Sequence, residues 1–135
     1  MHATLREKVR RRSGGLCEYC CLPEEFSELR HVVDHVIAQQ HGGKTTLANL
    51  ALACGRCNRH KGPNISGVDP LTAQIARLFN PRNDRWKDHF RWRNFRLVGR
   101  TTIGRATVEV LAINHSYRIT ARQTLAMTGH PPRSR

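Results

Sequence analysis

Short apolar stretches alternate with arginine-rich polar segments along this chain, and their spacing predicts its elements. Leu5 and Val9 stand at i, i+4 among Arg6, Lys8, Arg10, Arg11 and Arg12, and Ser13-Gly14-Gly15 ends the pattern. This predicts a short basic helix over residues 3–12 with a glycine stop. The β-branched run His31-Val32-Val33-Asp34-His35-Val36-Ile37 predicts a strand that delivers Asp34 and His35 at or near its end. Residues 39–48, with Gly42-Gly43, read as a loop, Asn49 to Ala53 as a second strand, and Gly55 to Lys61 as a short helix stopped by Gly62-Pro63.

Downstream the pattern is weaker. Leu71 to Phe79 reads as partly helical or extended, and Trp86 to Phe95 alternates aromatics with Lys87, Arg91 and Arg93. Thr101 to Ala112 has helical spacing, Ser116 is positioned to cap another helix, and residues 129–135 read as a frayed tail. Trp86, Phe90, Trp92 and Phe95 are expected to fill a core rather than stack on bases. The chain is thus expected to be α+β. Residues 1–66 would form a basic helix and a compact core, and residues 67–135 an extension packed on or flanking it.

Composition adds two constraints. Only 39% of the 135 residues are apolar and 6% aromatic, so the core is modest and a structural metal would make up the deficit. The net charge is +13, with arginine supplying most of the 23 cations, so a polyanion is the expected partner. There is neither an apolar run near the roughly 18 residues of a membrane span nor a signal-peptide segment. The expectation is a soluble, cytoplasmic protein without a membrane partner.

Two C-x2-C pairs, Cys17/Cys20 and Cys54/Cys57, present four thiolates in the manner of a tetrahedral, structural Zn2+ site. The interval between them, residues 21–53, exceeds the usual zinc-finger spacing, and it contains Asp34-His35 and Asn49. Cys21 reads as a packed or partly exposed free thiol, although Cys17-x3-Cys21 offers an alternative pairing. Phosphodiester hydrolysis needs an activated water, a cation and a scaffold for both. His35 can be the general base, with an ordinary imidazole pKa of about 6.5. Asp34 and Asn58 can place oxygens on a hard divalent ion, provided that the strand end relaxes the usual alternation of sides. Asn49 suits bridging to backbone or imidazole groups. Arg10, Arg11, Arg12, Arg56, Arg59 and Lys61 are the expected DNA-phosphate contacts, whereas His31 and His41 read as exposed or phosphate-facing loop residues.

At Cys17-x2-Cys20, Asp34-His35, Gly42-Gly43, Asn49-Leu50 and Cys54-x2-Cys57-Asn58-x2-Lys61-Gly62 the chain resembles the HNH endonuclease family. The likeness implies a ββα-metal core, also called the His-Me finger. It makes His35 the first H, which activates water, Asn49 the N that braces the loop, and Asn58 the third position, where the literal motif has His. It further implies a structural zinc distinct from a catalytic Mg2+ or Mn2+, and DNA cleavage leaving 5′-phosphate and 3′-hydroxyl ends. His60 is a rival third ligand, facing away along the helix. Residues 62–64, 78–82 and 104–107 also resemble an extension found in a bacterial subgroup. The alternative function is a non-catalytic, zinc-stabilised nucleic-acid-binding module. Any protein partner or inhibitor is left open.

Overall fold

The computed structural model describes all 135 residues. Helix α1 (Ala3–Ser13) ends at Gly14, whose left-handed backbone (φ 67°) lets its N–H turn back to carbonyls of the last turn. Strands β1 (Val32–His35) and β2 (Leu50–Ala53) pair antiparallel, with Val33 opposite Leu52 and His35 opposite Leu50. Every residue of β2 is buried, because both of its faces are covered. Leu50 and Leu52 pack with Val9 of α1, while Ala53 joins the cysteines on the other side. Helix α2 (Gly55–Lys61) follows at once, capped by Cys54, whose sulfur accepts the Cys57 N–H. Thus strand, loop, strand and helix occur as the apolar pattern predicts, in a ββα arrangement.

Beyond α2 the chain forms the hairpin β3 (Ser66–Val68) and β4 (Ile75–Arg77), the single-turn helix α3 (Trp86–His89), the hairpin β5 (Phe90–Arg93) and β6 (Arg96–Gly99), and helices α4 (Thr102–Val110) and α5 (Ser116–Met127). The stretch from Leu71 to Phe79 is therefore hairpin rather than helix, its β4 pairing Val68 with Ile75. The cap of α5 is His115, whose ring accepts the Tyr117 N–H, and not Ser116. The tail is tied down rather than frayed: Trp92 donates its indole N–H to Arg133 O at 2.7 Å, and Arg135 donates to Ser13 O at 3.1 Å.

One main core joins the two parts of the sequence. Cys17, Tyr19, Cys20, Cys54 and Cys57 pack with Leu78, Phe79, Trp86, Phe90, Leu97, Leu111 and Ile113, and Trp86 donates its indole N–H to Tyr19 O at 2.9 Å. Of the four aromatics expected in the core, Trp86 and Phe90 are buried, whereas Trp92 and Phe95 are only half-buried. No helix is long and apolar enough to cross a membrane.

Candidate metal centre and catalytic loop

The four paired cysteines converge. Their sulfur atoms lie within 4.8 Å of one another, and the Cys20 and Cys54 sulfurs are 3.7 Å apart. A tetrahedral zinc with Zn–S bonds of about 2.3 Å requires sulfurs separated by about 3.8 Å, so the cluster fits that ion. Backbone N–H groups of Cys20 and Cys57 point to the sulfurs of Cys17 and Cys54. Arg118, from α5, is only 6% exposed. It donates to Cys57 Sγ at 3.0 Å and to Leu111 O at 2.8 Å. Burial disfavours its charge, but the facing sulfurs of Cys57, Cys20 and Cys54 outweigh burial and raise its pKa. Four thiolates around Zn2+ would carry a net charge of −2, and this guanidinium would offset part of it in a site closed to water. Arg118 stands 61 residues from Cys57 in a weakly patterned segment, so nothing in the sequence points to it. Cys21 is buried beside the cluster with left-handed backbone, and takes no part in it.

His35 ends β1 and is half-buried, its Nε2 2.8 Å from the Thr45 hydroxyl. A hydroxyl can donate or accept, so this contact suits either imidazole tautomer. The loop between them is clamped by Asn49. Its Oδ1 accepts the Ile37 N–H at 2.9 Å, and its Nδ2 donates to Ile37 O at 3.0 Å and to Lys44 O at 2.9 Å. One amide thus fixes the chain two residues after His35 and one before Thr45. Gly43 is needed for that clamp, because a Cβ there would lie 1.7 Å from Ile37 O and 2.8 Å from the Asn49 amide nitrogen. Its neighbour Gly42 has φ 88°, which favours glycine for a different reason.

Residues 17–64 match the sequence model of the family described as HNH endonuclease. This segment is an HNH domain. Over 110 residues the chain is 30% identical to a Septu protein PtuB of Bacillus thuringiensis, across 79% of this chain and 40% of that protein. The chain therefore spans about two fifths of the length of the curated relative it matches. No solved structure matches it. The HNH domain relates the chain to nucleases and to nucleic-acid binding.

Within the HNH domain, Asp34 departs from the expected arrangement. Strand alternation persists to the end of β1, so its carboxylate turns inward while His35 turns outward. It is 6% exposed, accepts from the Tyr19 hydroxyl at 2.9 Å, and lies 3.1 Å from Lys61 Nζ. Burial raises the Asp34 pKa, against the opposing pull of Lys61 and Tyr19. Lys61 is 1% exposed and also donates to His35 O at 3.0 Å, so it is an internal brace and not a DNA contact. Asn58, half-exposed on α2, makes no side-chain hydrogen bond, and His60 is exposed.

The other expected cations divide similarly. Arg10 donates to His31 O at 2.7 Å and pairs with Glu24. Arg12 donates to Leu47 O and Leu50 O, bracing the entry to β2. Arg11 and Arg59 are exposed, and Arg56 lies over the Tyr117 ring at 4.1 Å. His31 is buried rather than exposed, with Nε2 2.7 Å from Leu22 O, whereas His41 is exposed. Glu18, inside the first knuckle, is sealed from solvent. It accepts the Leu52 N–H at 2.8 Å and pairs with Arg82, fastening the knuckle to β2 and to the C-terminal half.

Proposed function

We propose that this chain is a divalent-metal-dependent endonuclease that hydrolyses DNA phosphodiesters, with His35 as general base. The observation that carries this reading is the clamped loop: a half-exposed imidazole at a strand end, at the mouth of a loop that Asn49 holds at Ile37 and at Lys44, is positioned to take a proton from water. Asn58 and Asp34 would hold Mg2+ or Mn2+, Asn58 through an amide oxygen with no other partner. Asp34 would contribute a carboxylate now shared with Tyr19 and Lys61, so Lys61 and the ion compete for it. The ion would stabilise charge on the phosphoryl and leaving oxygens. The cysteine cluster would hold a structural zinc, and Arg11, with the chain's net charge of +13, would attract the phosphate backbone.

A supercoiled plasmid assay tests the reading. The parent chain is expected to nick or linearise plasmid with Mg2+ or Mn2+ and to do neither in chelator, while zinc-loaded His35→Ala should bind DNA without cutting it. Metal-dependent cleavage at the parental rate by His35→Ala would overturn the assignment. The sealed Asp34–Lys61 pair favours a second reading, a zinc-stabilised nucleic-acid-binding module without turnover. DNA binding with no cleavage under any divalent ion would establish that alternative.

A further inference from the structure

A cleft of about 300 Å³ separates α2 from α5 and from the segment that follows the first cysteine knuckle. Its volume is at the small end of ligand sites. Leu29, Arg56, Arg59, Tyr117, Ala121 and Leu125 are among the residues that line it. Leu29 is 74% and Tyr117 55% exposed, an apolar rim held in water on an otherwise strongly charged surface. At its base, Arg118 and Arg122 already donate to protein acceptors, Arg118 to Cys57 Sγ and Leu111 O, Arg122 to Phe95 O and Ile113 O. Arg56 and Arg59 make no side-chain hydrogen bond, and Glu28 is the single carboxylate residue in the lining. The cleft thus offers an apolar centre with unpaired guanidiniums at one edge.

We propose that this cleft docks an acidic segment of a partner protein, which inserts one large apolar side chain and sets its carboxylates against Arg56 and Arg59. Charge complementarity selects the acidic partner, since bidentate pairing to carboxylate satisfies guanidinium donors that are otherwise left to water. The apolar lining selects a peptide over a nucleic-acid strand. Neither aromatic ring of the lining is free for stacking, since Tyr117 already has Arg56 over it at 4.1 Å and Phe26 packs on His130 at 4.5 Å, and the two arginines of the base are committed to protein acceptors. The site is also separate from the proposed nuclease face. At 100° per residue, Gly55, Arg56 and Arg59 share one side of α2, whereas Asn58 and Lys61 lie on another, Lys61 against β1. A partner seated here would leave the His35 loop open.

Selection of a random-sequence peptide display library on the zinc-loaded full chain tests the proposal, followed by synthesis of the consensus peptide with a fluorescent label. The expected consensus places Asp or Glu beside Leu, Phe or Trp. Binding should weaken at least about tenfold in Ala121→Trp, which fills the cleft, and in Leu29→Asp, which makes its rim anionic. Both positions are solvent-exposed, and zinc content and circular dichroism check each variant's fold. Failure to enrich acidic, apolar sequences, or equal binding by a folded variant, would overturn the proposal. Displacement of the peptide by a single-stranded oligonucleotide whose own binding is lost in both variants would assign the cleft to nucleic acid instead, and overturn it equally.

Discussion

Lys61 Nζ lies 3.1 Å from the Asp34 carboxylate, and both side chains are closed to solvent. The pair links α2 to β1 beneath the His35 loop, with Tyr19 of the first knuckle as a third partner. Removing the cation alone leaves an uncompensated buried carboxylate. Lys61→Met is therefore expected to lose about 3–5 kcal/mol of stability, and the double variant with Asp34→Asn to recover most of it. Urea denaturation of the four proteins measures the coupling. Additive losses would show that the two groups do not share one interaction.

Metal removal is expected to unfold the chain. Structural zinc contributes about 10–16 kcal/mol in small peptides, comparable with a whole domain's stability, and here the cysteines are part of the main core. Metal analysis should find one zinc per chain, and Cys54→Ser should fail to fold. Arg118→Gln should fold but hold zinc about 10–100-fold less tightly in chelator competition. Unchanged affinity would make that guanidinium a packing group only.

His35→Ala should lower plasmid cleavage by about 10² to 10⁴ with the zinc cluster intact. Asn49→Ala should also slow cleavage, through the loop: both links to Ile37 and the one to Lys44 are lost. Backbone hydrogen exchange between residues 37 and 45 should accelerate in Asn49→Ala and stay unchanged in His35→Ala. Equal exchange in both would separate Asn49 from the loop's order.

Asp69, sealed in the hairpin turn, accepts two bonds from Arg105 at 2.9 Å each, and others from Leu71 and Thr72. Hydrogen bonding from Arg105 holds its carboxyl well below the usual carboxylate range, against burial. A depressed folded-state pKa gives stability that is fully present above the unfolded value of about 3.9 and is lost as pH falls towards the folded one. Asp69→Asn should therefore melt at lower temperature than the parent at pH 7, and the gap should narrow below about pH 4. A gap independent of pH would remove the carboxylate's charge from the account.

The order strand, loop, strand and helix, the pairing of Cys17 and Cys20 with Cys54 and Cys57, and the glycines of the loop were legible in the sequence, while the bracing role of Asn49, read as the first residue of the second strand, came only with the family resemblance. Each rests on neighbours a few residues apart or on fixed spacing: turn chemistry, β-branching and knuckle geometry are local constraints. Tertiary structure decided the fate of individual charges. Lys61 and Arg12 look alike in the sequence, yet Lys61 is buried against Asp34, while Arg12 stays exposed and holds carbonyls at the entry to β2. Arg118 reaches Cys57 across 61 residues, and Glu18 meets Arg82 across 64. Whether a charged side chain meets water or a buried partner depends on which distant segment covers it, and periodicity carries no record of that. The C-terminal half shows the same division: its weak apolar pattern predicts helices at 101–112 and after 116, but only packing against Cys17, Tyr19 and Cys57 makes its aromatics part of the core that carries the HNH domain.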